Sequence, residues 1–428
     1  MSFPKGFLIG ASTAAHQVEG NNTNSDYWAQ EQMPHSSFTE PSGIACDHYN
    51  RYEEDIRMMA DAGLNAYRFS IEWARVEPEE GHFNEREIEH YRSVIRCCRD
   101  NGIEPVVTLM HFTSPAWLIR RGGWESEETI ELFRRYAAYV TEKLGSEIRY
   151  ICTINEANMG LQLAAIARRF TLMAQQAQQN AKNAEGTVQV GMNFQKMMEN
   201  MKYAAMENME VFGTAQPQIF VSSRTSAGDA LVFRAHQAAK AAIKSTRPEI
   251  RVGITLSLHD LQALPGGEAA AAAAWEEEFR HYLPFIQGDD FLGVQNYTRT
   301  QYGPEGQLPC PPGAELTQMD YEFYPEALEH VIRRVHEDFT GDLIVTENGI
   351  ATADDTRRVE FIRRALAGIE NCISDGIPVK GYCHWSLMDN FEWQKGFSMT
   401  FGLIAVDRTT QKRTPKHSLH VLGTYAAR

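Results

Sequence analysis

The chain has 428 residues, 43% of them hydrophobic, so a large core can form, and by length it fits either two or three domains or one α/β barrel. A formal net charge of -15 argues against nucleic acid or an anionic membrane as partner and says nothing about a neutral ligand. The seven cysteines (46, 97, 98, 152, 310, 372, 383) lack metal-type spacing, and an odd number makes a poor disulfide framework.

Residues Met1 to Lys5 lead straight into strand-like sequence, leaving no room for a signal peptide, and no apolar run is long enough to span a bilayer. A soluble, reducing, cytoplasmic setting is expected. Residues 7–13 read as a first strand, with His16, Gln17 and Glu19 just beyond its end. Helical periodicity over 52–62 closes on Ala62-Gly63, and a strand at 66–73 carries Arg68 and Glu72-Trp73. A helix over 85–100 ends on Asn101-Gly102, a strand at 104–112 delivers His111-Phe112, and a helix over 127–144 comes next. The strand at 150–156, Tyr150-Ile151-Cys152-Thr153-Ile154, runs directly into Asn155-Glu156. From Met159 to Met209 lie eight of the sixteen methionines, with a Gln/Asn/Ala-rich patch over 174–184, a stretch too long for an ordinary barrel helix. The rhythm resumes with a helix over 231–245 and strands at 251–258 and 291–298, the second delivering Asn296-Tyr297. A loop over 304–319 centres on Cys310-Pro311-Pro312-Gly313. A helix over 325–338, a strand at 343–347 ending in Glu347-Asn348-Gly349, a helix over 356–374 and a strand at 379–387 carrying His384-Trp385 complete the series. Eight strand–helix units predict a closed parallel (β/α)8 TIM barrel, with a doubly wound sheet as runner-up. No Pro-, Gly- or Ser-rich linker divides the chain, so residues 1–428 are read as one catalytic domain, enlarged after the fourth strand by an atypical insert at about 160–225.

In such a barrel the site forms at the C-terminal ends of the strands. An acid at the lip of a buried strand is costly unless it is paired or used. The fourth and seventh strands each deliver one glutamate there, Glu156 and Glu347, and paired carboxylates are the equipment of glycoside hydrolysis. The other strand ends are dense in amides, acids, imidazoles and indoles, groups that meet sugar hydroxyls and the apolar face of a pyranose.

Five stretches carry a resemblance to glycoside hydrolase family 1, the β-glucosidase family, over nearly the whole chain. Thr153-Ile154-Asn155-Glu156 is similar to the family's acid/base motif, and Val345-Thr346-Glu347-Asn348-Gly349 to its nucleophile motif. The stretch from Phe7 to Gly20 resembles the N-terminal signature, the stretch from Trp385 to Trp393 the glycone-binding segment, and Lys412-Arg413-Thr414-Pro415-Lys416 the C-terminal end. Five motifs in order are far more specific than a lone Thr-Glu-Asn-Gly.

The resemblance implies a retaining exo-β-glycosidase, of β-glucosidase type, that uses no metal and no cofactor. Glu347 would be the nucleophile and Glu156 the acid/base, with carboxyl groups about 5–5.5 Å apart. Arg68 would lower the pKa of Glu347 by roughly 1–3 units, and Tyr297 would hold its carboxylate. Glu156 would keep its proton through a drier site or the charge on Glu347. Gln17, His111, Asn155, Glu392 and Trp393 would bind the sugar hydroxyls, with Trp385 adding an indole contact. Intact Glu392-Trp393 implies an unphosphorylated glycone, because a carboxylate repels a 6-phosphate, and the presence of Glu156 implies O- rather than S-glycosides. The partner is thus a small β-glycoside; a homo-oligomer is neither implied nor excluded. The chain departs from the family pattern at Ala157 (usually proline), at Phe112-Thr113-Ser114-Pro115 (often Trp-Asp-Leu-Pro), at Gln295 and at Thr400.

Alternatives on the same residues are a β-galactosidase or β-fucosidase, a transglycosylase, and a non-catalytic sugar-binding barrel. A pair of structural ion-pair partners would also place Glu156 and Glu347 in the barrel mouth, but does not account for five motifs. His111 alone would read as a structural strand-end histidine. Trp73 reads as packing and Glu72 has no assigned role. His384, one residue before Trp385, faces the opposite side of its strand and reads as structural. The methionine-rich stretch reads first as helix packing, second as an apolar wall on the leaving-group side, third as a subunit interface.

Overall fold

The computed structural model describes residues 3–176 and 190–426. Within it, eight strands close into a barrel: β1 (Leu8–Ser12), β2 (Ala66–Ser70), β3 (Glu104–Met110), β4 (Tyr150–Ile154), β5 (Arg251–Ser257), β6 (Phe291–Gln295), β7 (Asp342–Asn348) and β8 (Val379–Trp385). Each neighbouring pair runs parallel, and β1 pairs with both β2 and β8. Nearly every strand residue is buried, since side chains on one face fill the barrel and those on the other lie under helices. Parallel strands covered on both faces therefore read as unbroken apolar runs rather than as alternation.

The covering helices include His48–Ala62, Glu85–Asp100, Glu128–Leu144, Ser226–Thr246, Ala327–Asp338 and Asp355–Ser374. Their ends reflect local chemistry. Asn84, Thr225 and Asp354 accept hydrogen bonds from Arg86, Gly228 and Thr356 backbone N–H groups, which would otherwise lack partners. Gly63 stops its helix in the left-handed region, at φ 98°.

Several strands end sooner than the sequence predicts. β2 stops at Ser70 because Glu72 caps a short helix, Trp73–Val76: its side chain accepts from the Ala74 N–H at 3.2 Å and from Thr113 Oγ1 at 2.7 Å. Glu72 is thus a cap. Trp73 packs as expected, stacked on Tyr136 at 5.0 Å and edge-on to Trp117, with its Nε1 donating to Glu77. A three-stranded sheet at the barrel mouth, Asp260–Ala263, Arg299–Gly303 and Gly306–Gln307, has no counterpart in the sequence pattern, and it takes up the start of the predicted 304–319 loop.

The enlarged segment after β4 contributes helices Met159–Gln176 and Phe194–Phe212. The Gln/Asn/Ala-rich patch from residue 177 onward lies outside the described residues. Met159 is fully buried and Met192 packs on the core, as helix packing requires. The packing reading fails for Met197, Met198, Met201, Met206 and Met209, which are 37–69% exposed. They face away from the barrel, while Phe212 and Glu207 of the same helix are buried. No helix among the described residues is long and apolar enough to cross a membrane.

Candidate active site

β7 carries Glu347 to the barrel mouth, where it is 3% exposed. Gly349 comes two residues later because β8 crosses there; a Cβ would collide with the Trp385 carbonyl. Two groups hold the Glu347 carboxylate. Arg68, fully buried on β2, donates from Nη1 to Oε1 at 2.6 Å. Tyr297, just past β6, donates its hydroxyl to Oε2 at 2.5 Å. Arg68 also donates to Asn155 Oδ1 at 2.6 Å and to Thr108 Oγ1 at 3.1 Å, so this buried cation is fully engaged.

β4 delivers Asn155 and Glu156. Asn155 Oδ1 accepts from Arg68, from Gln295 Nε2 at 2.8 Å and from Thr255 Oγ1 at 3.2 Å. These donors fix which end of the amide is oxygen, and its Nδ2 then donates to His111 Nε2 at 3.2 Å. Glu156 takes a left-handed φ of 44°, a conformation that costs energy for a residue with a Cβ. Thr255 holds it there, its Oγ1 accepting from the Glu156 N–H at 2.9 Å and its carbonyl from the Ala157 N–H at 3.0 Å.

The two acids are held differently. Burial raises both pKa values. At Glu347, Arg68 and the Tyr297 hydrogen bond oppose the rise. At Glu156, which has no such clamp, the Glu347 charge lifts it further, well above the usual carboxylate range. The expectation that Arg68 depresses Glu347 below its ordinary value is corrected here: burial outweighs the guanidinium, which offsets the rise without reversing it. The order is nonetheless set: Glu347 ionises first and Glu156 keeps its proton.

Glu156, Glu347 and Tyr297 line one cavity of about 270 Å³ together with His111, Trp385, Glu392 and Trp393. His111 lies over the two indoles, 5.7 Å from Trp385 and 6.1 Å from Trp393, and burial, then the Arg68 charge, keep it neutral. Burial, then the charge on Glu347, push Glu392 up to about 8. Gln17 stands one layer back, donating from Nε2 to the Phe391 carbonyl at 2.7 Å and to Glu392 Oε2 at 3.5 Å. Every predicted site residue is therefore in the cavity wall or bonded to it, with Arg68, Asn155 and Gln17 behind the surface. Glu156 Oε2, His111 Nδ1 and Gln17 Oε1 are buried without partners among the described residues. Buried polar atoms of this kind suit a hydroxyl-rich ligand.

Sequence reasoning missed Thr255 and Gln295 as supports of Asn155, although Gln295 ends β6 beside Tyr297. Phe112, Val190 and Phe401 also line the cavity. Phe112 packs 5.3 Å from Trp393. His384 is structural as expected: it is fully buried, its Nδ1 lies 3.1 Å from the Tyr382 hydroxyl, and burial lowers its pKa to about 3. A larger cavity, about 500 Å³, lies between the Met159–Gln176 helix and the small sheet, and includes none of the predicted site residues.

The sequence profile of glycosyl hydrolase family 1 matches residues 1–176 and 279–425. A β-glucosidase from Agrobacterium sp. is 29% identical, with 97% of this chain and 93% of that protein covered. A cytosolic β-glucosidase from Homo sapiens is 30% identical, covering 95% and 94%. The crystal structure of a β-glycosidase, BGL167, superposes with a TM-score of 0.85 at 44% identity, covering 99% of this chain and 96% of that one.

Proposed function

The chain belongs to glycosyl hydrolase family 1 and is an O-glycoside hydrolase of β-glucosidase type, and from that premise we propose that it is a retaining exo-β-glycosidase preferring unphosphorylated β-glucosides. The observation that carries this is the asymmetry of the acids: Glu347 is clamped by Arg68 and Tyr297, while Glu156 in the same cavity forms no ion pair among the described residues.

In the proposed first step Glu347 attacks the anomeric carbon and Glu156 gives its proton to the leaving oxygen. In the second, Glu156 takes a proton from water, which releases the sugar from Glu347. Neutral His111, Glu392 and Trp393 orient the hydroxyls, Asn155 and Gln17 support His111 and Glu392 from behind, and Trp385 meets the ring face. Glu392, ionised as pH rises through about 8, disfavours a phosphorylated sugar most strongly there. The seven cysteines are free thiols, which supports a reducing, cytoplasmic setting.

The test is turnover of 4-nitrophenyl β-glucoside by the wild type, Glu347→Ala and Glu156→Ala, with and without azide. Both variants lose turnover, and azide rescues them to opposite anomers of glucosyl azide, α from Glu347→Ala and β from Glu156→Ala. An inert wild type across a panel of nitrophenyl β-glycosides, or variants as active as wild type, would refute the reading. The same panel ranks glucosides against galactosides and fucosides.

A further inference from the structure

Residues 190–193 fall in the part of the chain that the family profile passes over, between 176 and 279. Even so, they reach the site. Val190 is buried and lines the cavity with Glu156 and Glu347. The Gly191 carbonyl accepts from the Gln394 N–H at 2.9 Å. The Asn193 N–H donates to Gln394 Oε1 at 2.7 Å, and Asn193 caps the Phe194–Phe212 helix by accepting from the Lys196 N–H. Lys196 Nζ in turn donates to the Phe38 carbonyl at 2.6 Å. The end of the insert is therefore tied to Gln394, one residue past the glycone-binding segment, and to Phe38, whose ring stacks on Phe391 at 6.0 Å.

Position 191 has no room for a side chain. A Cβ there would lie 2.5 Å from the Glu392 carbonyl oxygen, 3.0 Å from its Cγ and 3.1 Å from Oε1. Space, rather than a left-handed backbone, demands glycine. Gln17 holds Glu392 only weakly: its Nε2 is 3.5 Å from Oε2, and the same amide is shared with the Phe391 carbonyl at 2.7 Å. The adjoining Trp393 adopts φ 46°, so this loop needs outside support to keep its shape.

We propose that Gly191 is a positioning residue for the glycone: its lack of a side chain leaves the room in which the Glu392 carboxyl sits at the cavity wall, so that a segment outside the residues matched by the family profile sets sugar affinity. This rests on the reading of Glu392 as a sugar-binding group.

The experiment is a double-mutant cycle on 4-nitrophenyl β-glucoside with wild type, Gly191→Ala, Glu392→Ala and the double variant, with Tm measured for each. Gly191→Ala raises KM about tenfold, as expected when the added methyl pushes the Glu392 side chain off the cavity wall, and leaves kcat within about twofold. In the Glu392→Ala background the same change moves kcat/KM by less than about twofold, because its target is gone. If Gly191→Ala does not fold, Gln394→Ala removes the bond that Oε1 accepts from the Asn193 N–H without adding an atom, leaves the backbone bond to Gly191 in place, and shows the same pattern at about threefold. Equal losses in both backgrounds, or an unchanged KM in folded Gly191→Ala or Gln394→Ala, overturn the proposal. If Glu392→Ala still loses affinity in that experiment, the hydrolase reading stands. A Glu392→Ala variant with wild-type KM overturns the role of Glu392, and the proposal with it.

Discussion

Replacing Tyr297 by Phe deletes one oxygen and keeps the ring, which faces Tyr321 and Phe401 at 6.5 and 6.2 Å. The group lost is the hydroxyl, with its 2.5 Å bond to Glu347 Oε2. That bond is short, ends on a charge and is shut off from water, so its loss falls in the range of about 1.5–3 kcal/mol for hydrogen bonds to charged groups. In kinetic terms this is a fall in kcat/KM of about 10- to 150-fold. The same contact sets the sign of the pH effect. The hydroxyl lowers the pKa of Glu347, which as the proposed nucleophile must be ionised to attack. Its removal moves the acidic limb of the kcat/KM profile to higher pH, and the loss is largest on the acid side. The basic limb reports Glu156 and moves less. The assay is a pH–rate profile on 4-nitrophenyl β-glucoside with Tm checked across the range. An acidic limb left in place, with the plateau lowered uniformly, would refute the argument that Tyr297 acts through the charge of Glu347.

Two further outcomes are expected. Glu156→Ala loses about 10²–10⁴-fold in turnover of alkyl glucosides, which need a protonated leaving group, but forms the glycosyl-enzyme almost normally from a dinitrophenyl glucoside, seen as a pre-steady-state burst; equal losses on both substrates would remove Glu156 as the acid. Glu392→Gln gives up sugar affinity but gains stability at alkaline pH. The folded pKa of Glu392 is raised from 4.5 to about 8, so its destabilisation is absent below pH 4.5 and grows as pH rises towards 8. At pH 7 the Gln variant is more stable by roughly 3 kcal/mol, and a Tm difference that persists unchanged at pH 4.5 would sink this account.

The barrel and its two acids were legible because buried parallel strands write themselves as apolar runs that end abruptly. Ile344 and Val345 leading to Glu347, and Ile151 to Ile154 leading to Glu156, are such runs. Strand ends were less legible where a side chain caps the next element: Glu72 turns the chain into a helix through one hydrogen bond to Ala74, and no periodicity announces that. Arg68 could be matched to Glu347, but the net effect of burial on the pair depends on three-dimensional enclosure. Gly191 was invisible, since its importance is a collision with Glu392 that only the fold creates. The methionines of Phe194–Phe212 misled because apolar composition was taken for burial, although that helix turns most of them outward.

The first strand is hydrogen-bonded to the second on one side and to the last on the other. Arg68 comes from near one end of the chain and Glu347 and Glu392 from near the other, so no fragment lacking either end can assemble the catalytic centre. A nascent polypeptide stays inert until Trp393 has cleared the ribosome and the ring has shut. Recovery of turnover during refolding is therefore a direct clock for ring closure, and secondary structure measured by circular dichroism should return before it.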